Sequence, residues 1–289
     1  MDMQQIKHFI TAARCLNFTK AADQLFVTQP ALSRQINSIE KELNIQLFIR
    51  VGHELKLTPA AKVLYEEFSL LYAHYENSID RANTVQHGVT GKLSVGVLDG
   101  MRMDDIFPNL LQQFCAEYPE VEIDLRYLNL NDLVSGLYAG TLDVLFTLLF
   151  EVEGRRYIEY KIIAESRDHI AVHITNPLAK KDFVTLGELE NETFIMLKSG
   201  VSESSQSLIL EGFRQYGFRP NVLYSPSLFT SALLVQSGLG ITMFDSRSIF
   251  RTMPGIHFLD TDQVSNPSLV AAWHHDNTNP AFLIFKKSL

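Results

Sequence analysis

Gln29, Ser33 and Asn37 recur every four residues, and Pro30 and Arg34 lie beside Gln29 and Ser33. A helix through this segment therefore gathers all five on one face. Those residue types suit the edges of base pairs. A glutamine can bond bidentately to adenine, and an arginine to guanine, in the major groove of duplex DNA. Ser33 is short enough to meet a phosphate or a base edge. A helix that reads bases needs such donors near its N-terminal end, where Gln29, Ser33 and Arg34 fall. Upstream, Thr19 and Lys20 begin another short segment and could touch phosphates. The alternative is an ordinary solvated helix face, and composition alone favours it.

The surrounding elements must hold that face in place. Ile6, Phe9, Ala13 and Leu16 recur at helical spacing and predict an amphipathic first helix. Asn17 can cap a second short helix carrying Ala21, Ala22 and Leu25, and Phe26-Val27 makes a turn. Thr28 can cap the third helix, with Pro30 in its first turn. Leu32, Ile36, Ile39 and Leu43 form its buried stripe, opposite the polar face. Leu47–Ile49 and Leu55–Leu57 flank Val51-Gly52-His53-Glu54, which predicts a β-hairpin with a glycine turn. Three helices and a hairpin make a winged helix-turn-helix. A long helix then starts at Thr58-Pro59 and runs to about Gln86. Its near-heptad seam of Ala61, Leu64, Phe68, Leu71, Tyr75, Ile79 and Ala82 predicts pairing with a partner helix, the alternative being packing on its own chain. Gly88 and Gly91 mark a hinge.

Charge is divided along the chain. The net charge is −8, yet residues 1–60 hold seven Lys/Arg against five Asp/Glu, and residues 61–289 hold eighteen against twenty-eight. Any contact with a polyanion is thus confined to the first segment. Cys15 and Cys115 make no CxxC or metal pattern and are expected as small buried hydrophobes. His169 and His173 share a strand face and His274-His275-Asp276 cluster, but neither supplies a full ligand set, so no metal or other cofactor is expected. No GxGxxG, P-loop or GxSxG motif is present, and no catalytic constellation marks an enzyme. With neither a signal-peptide pattern nor an apolar run of the ~18–20 residues that a membrane span needs, the expected location is the cytoplasm, without a membrane partner.

From residue 92 strands alternate with helices. Strands are predicted at Leu93–Leu98, Val121–Leu128, Leu142–Leu148, Ile158–Ala164, His169–Ile174, Thr193–Leu197, Asn221–Tyr224, Leu239–Phe244 and Leu269–Trp273. Helices are predicted near Asp104–Tyr118, Leu130–Ala139, Glu203–Tyr216, Leu228–Gln236 and Pro280–Lys287. This is a pair of α/β lobes, with the strand near Val270 and the last helix returning to the first lobe. In such lobes ligands sit beyond the C-terminal ends of strands and at helix N-termini. That rule selects Asp99, Gly100 and Met101 after the first strand, Leu128 and Asn129 after the second, and Thr147 at the end of the third. In the second lobe it selects Ser199-Gly200-Val201-Ser202 and Phe244-Asp245. The run Ser199, Ser202, Ser204 and Ser205 offers hydroxyls and amides to an anionic group, although a capped helix start accounts for any one of these serines equally well.

The string from Asn17 through Ile36, continued by Ile39-Glu40, Leu43, Leu47-Phe48-Ile49-Arg50 and Leu57-Thr58-Pro59, resembles the N-terminal signature of LysR-type transcriptional regulators. Asp168–Ala179 and Val235–Ile241 look like that family's second effector lobe. The resemblance implies a multidomain chain: a mainly α winged helix-turn-helix over residues 1–58, a linker and dimerisation helix over 59–88, and a two-lobed α/β, periplasmic-binding-protein-like effector domain over 89–289. Its lobes would span about 92–162 with 267–289, and 163–266. It implies contacts with double-stranded promoter DNA from Thr28, Gln29, Pro30, Ser33, Arg34 and Asn37, and from a wing near Arg50 and His53. It also implies a small-molecule effector between the lobes, and a homodimer or homotetramer. Two departures stand out. The family often has Arg where this chain has His53, which puts that minor-groove contact in doubt. It commonly has Ser or Thr where this chain has Asp99, a carboxylate that would repel an acidic effector unless Arg102 offsets it. The effector is therefore expected to be neutral or an amine, or to have its acid group held by the second lobe.

Overall fold

The computed structural model describes residues 1–51, 54–86, 91–198, 202–262 and 264–289. His53, Gly88, Ser199, Gly200 and Val201 thus lie outside the described residues. The chain divides into two compact units, Met1–Asn83 and Thr84–Leu289.

In the first unit every helix start carries a capping side chain. Asp2 and Gln5 form a reciprocal capping box on α1 (Met3–Cys15). Asn17 accepts from the amides of Thr19 and Lys20 at the start of α2 (Phe18–Gln24), and Thr28 from the amide of Ala31 at the start of α3 (Gln29–Leu43). Leu32, Ile36 and Ile39 are the buried side of α3 and close on Phe9, Ala21 and Ala22. Phe9 meets Phe48 and Phe68 edge to face, both at 6.1 Å. The strands β1 (Phe48–Val51) and β2 (Glu54–Leu57) pair antiparallel. Glu40, on α3, accepts from the amides of Leu47 and Phe48, which ties the hairpin to α3. Thr58 then caps α4 (Pro59–Gln86) through the amide of Ala61. Ala61, Leu64 and Phe68 pack on the head's core, whereas Leu71, Tyr75 and Ile79 stay between 43% and 48% exposed along the same stripe.

The second unit is built on two principal sheets. The strands β3 (Lys92–Leu98), β4 (Glu122–Leu128) and β5 (Val144–Leu148) run parallel, linked by α5 (Phe107–Glu117) and α6 (Leu130–Tyr138). After the short α7 (Leu149–Val152) comes β6 (Ile158–Ala164), from which the chain crosses to a second sheet. That sheet holds β7 (Asp168–His173), β8 (Phe183–Val184), β11 (Thr242–Asp245) and β12 (Ile256–Thr261) in the order β11-β7-β12-β8. Beside it β9 (Thr193–Leu197) and β10 (Asn221–Ser225) form a parallel pair, accompanied by α8 (Glu203–Gln215) and α9 (Leu228–Gln236). The chain then returns. Strand β13 (Leu269–His274) inserts antiparallel between β5 and β6, completing the order β4-β3-β5-β13-β6. Helix α10 (Pro280–Ser288) packs Phe282 and Phe285 into the first sheet's core, with Phe285 edge to face on Phe114 at 5.2 Å.

Several expectations change. Strand β12 was not expected, although Pro254-Gly255 precedes it and Ile256, Leu259 and Thr261 are its buried positions. The strand expected from Leu239 starts at Thr242, because the Gly240 segment instead lies against β9: Ile195 donates to the carbonyl of Ile241, and Ile241 donates to Thr193. The helix expected from Asp104 starts at Phe107, with Pro108 in its first turn. The cysteines are not buried hydrophobes: Cys115 is exposed and Cys15 only half-buried. On α5 the inward position belongs to Phe114, and the next residue points about 100° away around the helix.

Candidate nucleic-acid interface and effector cavity

The polar face of α3 is open. Gln29, Pro30, Arg34 and Asn37 are exposed and Ser33 is half-buried. Its donors are held ready by weak local bonds. The Gln29 amide donates to Ser33 Oγ at 2.8 Å, and Arg34 Nε donates to the carbonyl of Pro30 at 3.3 Å. A base edge could take over the first of these, and the second leaves the terminal guanidinium nitrogens available. Thr28 is also exposed, but its hydroxyl serves the cap at 3.4 Å from the Ala31 amide. Thr19, Lys20 and Arg50 are exposed as well, the first two at the start of α2 and the third on the wing strand β1.

The turn expected at Phe26-Val27 holds an exposed ring that its sequence does not announce. Phe26, in the turn between α2 and α3, is 97% exposed and sits at φ 55°. A bulky side chain is strained in that left-handed conformation, where asparagine is tolerated. Phe26→Asn should therefore stabilise the first unit by about 0.5–1 kcal/mol, read as a rise in its thermal midpoint. A lower midpoint would mean that the ring makes a stabilising contact.

In the second unit, the two sheets approach around a cavity of about 70 Å³. Asp99, Gly100, Met101 and Phe244 line it, as do Glu151, Asp168 and Asp245. Gly100 has φ 82°, and a Cβ there would meet the Phe250 ring at 3.0 Å, so the turn after β3 needs glycine. Backbone bonds join the two rims: Arg102 donates to the carbonyl of Arg247 at 2.8 Å, and Ile249 to that of Gly100 at 2.9 Å. On another side Ser202 donates to Glu151, both side chains being buried.

The other side chains chosen from strand ends lie elsewhere. Leu128 is not in the lining, and its carbonyl accepts from the Asp99 amide. Asn129 caps α6 and bonds Asp132. Thr147 is buried in the sheet, its hydroxyl without a hydrogen-bond partner among the described residues, and Ser202 is outside the lining and bonds Glu151, which is in it. The strand-end rule finds the right end of each sheet but not which alternate side chain faces the gap. Of the acidic residues, Asp245 follows Phe244 at a strand end and was legible. Glu151 and Asp168 were not, since they arrive with α7 and the crossover into β7.

Burial raises all four lining carboxyls above the ordinary range. For Asp99 the neighbouring Asp132 adds to it; for Glu151 the Ser202 bond opposes it. For Asp168 the hydroxyl and amide of Ser265 and the amide of Val264 oppose it. Asp245 is pushed up to about 6, against the amide of Arg247 and the hydroxyl of Ser166. Its folded value thus exceeds the ordinary 3.8, so stability from this group is complete below about 3.8 and is lost as pH rises through about 6. Asp245→Asn should therefore raise the denaturation midpoint of the second unit at pH 7, and that advantage should shrink by pH 5. A pH-independent difference would exclude this ionisation as its cause.

His274, His275 and Asp276 place three donor atoms within 4.8 Å of one another. They already engage each other: Asp276 donates its amide to His274 Nδ1, and His275 Nε2 lies 3.0 Å from the Asp276 carboxylate. His169 is 3.1 Å from Asp260, and His173 bonds Thr175.

Comparison with known proteins accounts for both regions. Residues 3–62 match the family described as bacterial regulatory helix-turn-helix protein, lysR family. Residues 86–289 match the LysR substrate binding domain. The chain is similar to the HTH-type transcriptional regulator YnfL of Escherichia coli K12, itself uncharacterized, at 26% identity over 97% of this chain and 95% of that one. In fold it is similar to CbnR, a LysR family transcriptional regulator, with a TM-score of 0.68, 23% identity, and coverage of 100% of this chain and 98% of that one. It is also similar to full-length CbnR solved with its target DNA, with a TM-score of 0.64 and 23% identity over the same shares of both chains. The chain belongs to the LysR family of transcriptional regulators, with a helix-turn-helix DNA-binding segment followed by a substrate-binding domain.

Proposed function

We propose that this regulator reads double-stranded promoter DNA with the α3 face of Gln29, Pro30, Ser33, Arg34 and Asn37. Thr19, Lys20, Thr28, Arg50 and His53 would hold it on the backbone. The observation that carries this reading is the exposed Gln29 bonded to the half-buried Ser33, with exposed Arg34 beside them, at the N-terminal end of a helix whose other side is the head's core. Fluorescence anisotropy with the full chain and its operator tests it: Gln29→Ala should weaken operator binding and leave non-specific binding unchanged. Equal operator affinity would refute the role.

The same reading assigns residues 1–58 to DNA, 59–88 to dimerisation and 89–289 to a small-molecule effector, in a homodimer or homotetramer working in the cytoplasm without catalytic activity. The effector would occupy the cavity bounded by Asp99, Gly100, Met101 and Phe244. Because backbone bonds between 100–102 and 247–249 cross its rim, a ligand that bound one arrangement of the lobes better would bias that arrangement and, through α4, the spacing of the heads.

A further inference from the structure

The turn between α2 and α3 holds a side chain that folding does not use. Two bonds fix its backbone: Val27 donates its amide to the carbonyl of Ala22 at 3.0 Å, and Phe26 donates to that of Asp23 at 3.2 Å. This pair closes a helix through one left-handed residue, a position that glycine or asparagine ordinarily fills. Here Phe26 fills it, at φ 55°. The side chains on either side serve the fold, since Leu25 and Val27 pack against the head's core. The Phe26 ring does not join them and is 97% exposed. Leu16 is also left-handed, after α1, but is only 43% exposed, so more than half of its surface is covered. Position 26 thus combines a strained backbone with a hydrocarbon ring left in water, and nothing in the head offsets either.

The place of the turn says what could cover the ring. Phe26 comes three residues before Gln29, so the two Cα atoms lie within roughly 11 Å of each other. The major groove that would receive the N-terminal end of α3 is about 12 Å wide, and a helix with its side chains nearly fills it. A ring standing outside the helix at that end would meet the wall of the groove. Deoxyribose C–H groups and thymine methyls give that wall its apolar surface. The neighbours of the ring suit a duplex better than a protein. Asp23, Gln24, Thr28 and Gln29 are exposed along the chain beside it, so it stands as one apolar group among polar ones. A protein-docking site gathers several apolar residues into a contiguous patch. We infer that Phe26 is a further DNA-contacting residue, its ring packing on a thymine methyl or a deoxyribose at the edge of the groove. This rests on the reading of α3 as the base-reading helix.

The test is anisotropy titration of the full chain with a duplex selected by the wild type from a random pool. Phe26→Gly removes the ring and suits the left-handed turn, so it should keep or raise the thermal midpoint of the head. It should weaken binding about tenfold, as half-burial of an aromatic ring implies. Phe26→Tyr retains the ring and should bind within about twofold of the wild type. Because no charge is lost, the slope of affinity against salt should be the same for all three proteins. Undiminished binding by Phe26→Gly overturns the inference and turns attention to a protein partner for the ring. A loss accompanied by a lower midpoint or a changed salt slope also overturns it, since folding or phosphate contacts would then be its source. Gln29→Ala, titrated in parallel, separates this failure from the broader one. Weakening in Gln29→Ala without weakening in Phe26→Gly removes the ring contact alone, whereas no weakening in either removes the α3 reading with it. Replacing thymine by uracil in the duplex identifies the contact. The difference between wild type and Phe26→Gly should vanish if the ring meets a methyl and persist if it meets a deoxyribose.

Discussion

Arg34→Ala will weaken binding of the full chain to its operator by roughly 1–3 kcal/mol and relax the preference for one guanine in each half-site. The size follows from the geometry around this side chain. Its Nε is engaged with the carbonyl of Pro30 one turn earlier, which orients the guanidinium without consuming its terminal nitrogens. The terminal nitrogens are left to form a bidentate contact with a guanine, which is the contact the substitution would remove. Arg34 is exposed and contributes nothing to the buried stripe of Leu32, Ile36 and Ile39. The variant head should therefore melt where the wild type does. A lowered thermal midpoint would instead place the loss in folding.

Replacing Leu71 and Ile79 together by glutamate will convert the protein from an oligomer to a monomer, read by sedimentation at micromolar concentration. Operator binding should fall with it by on the order of 10²–10⁴, because two heads then no longer act through one linked complex. The reason lies in how far the apolar stripe of α4 runs. Its first part, through Phe68, is covered by the head, while Leu71, Tyr75 and Ile79 continue the stripe at spacings of four and remain 48%, 43% and 43% exposed. A helix of 28 residues extends about 42 Å, and a continuous apolar seam along it is the surface a second copy of the helix would cover. Unchanged sedimentation would place the dimer contact elsewhere.

Local chemistry explains why so much of the head was legible. Asn17, Thr28 and Thr58 announce helix starts because their side chains bond amides two or three residues on, and those bonds are present. The spacing of Leu32, Ile36 and Ile39 fixes which side of α3 is buried and, by elimination, which side meets solvent. The left-handed turn at Phe26 was harder, since neither glycine nor asparagine marks it. In the second unit the strands that repeat a βα pattern were readable, and β13 was recognisable as a return to the first sheet. The cavity was only partly so. Asp99, Gly100, Met101 and Phe244 follow from strand ends, but Glu151 and Asp168 reach the lining through the α7 turn and the crossover. Those placements depend on pairings between residues more than fifty positions apart, such as Ser202 with Glu151 and Ser265 with Asp168. No local pattern encodes them.

On the proposed function, α3 reads base sequence through one defined face. Selection of bound duplexes from a random pool, done in parallel with the wild-type chain and Arg34→Ala, tests it most directly. The wild type should enrich a two-fold-related pair of half-sites, and the variant the same motif with its preference lost at one base pair per half-site. An identical motif from both proteins, or no enriched motif from the wild type, would contradict it.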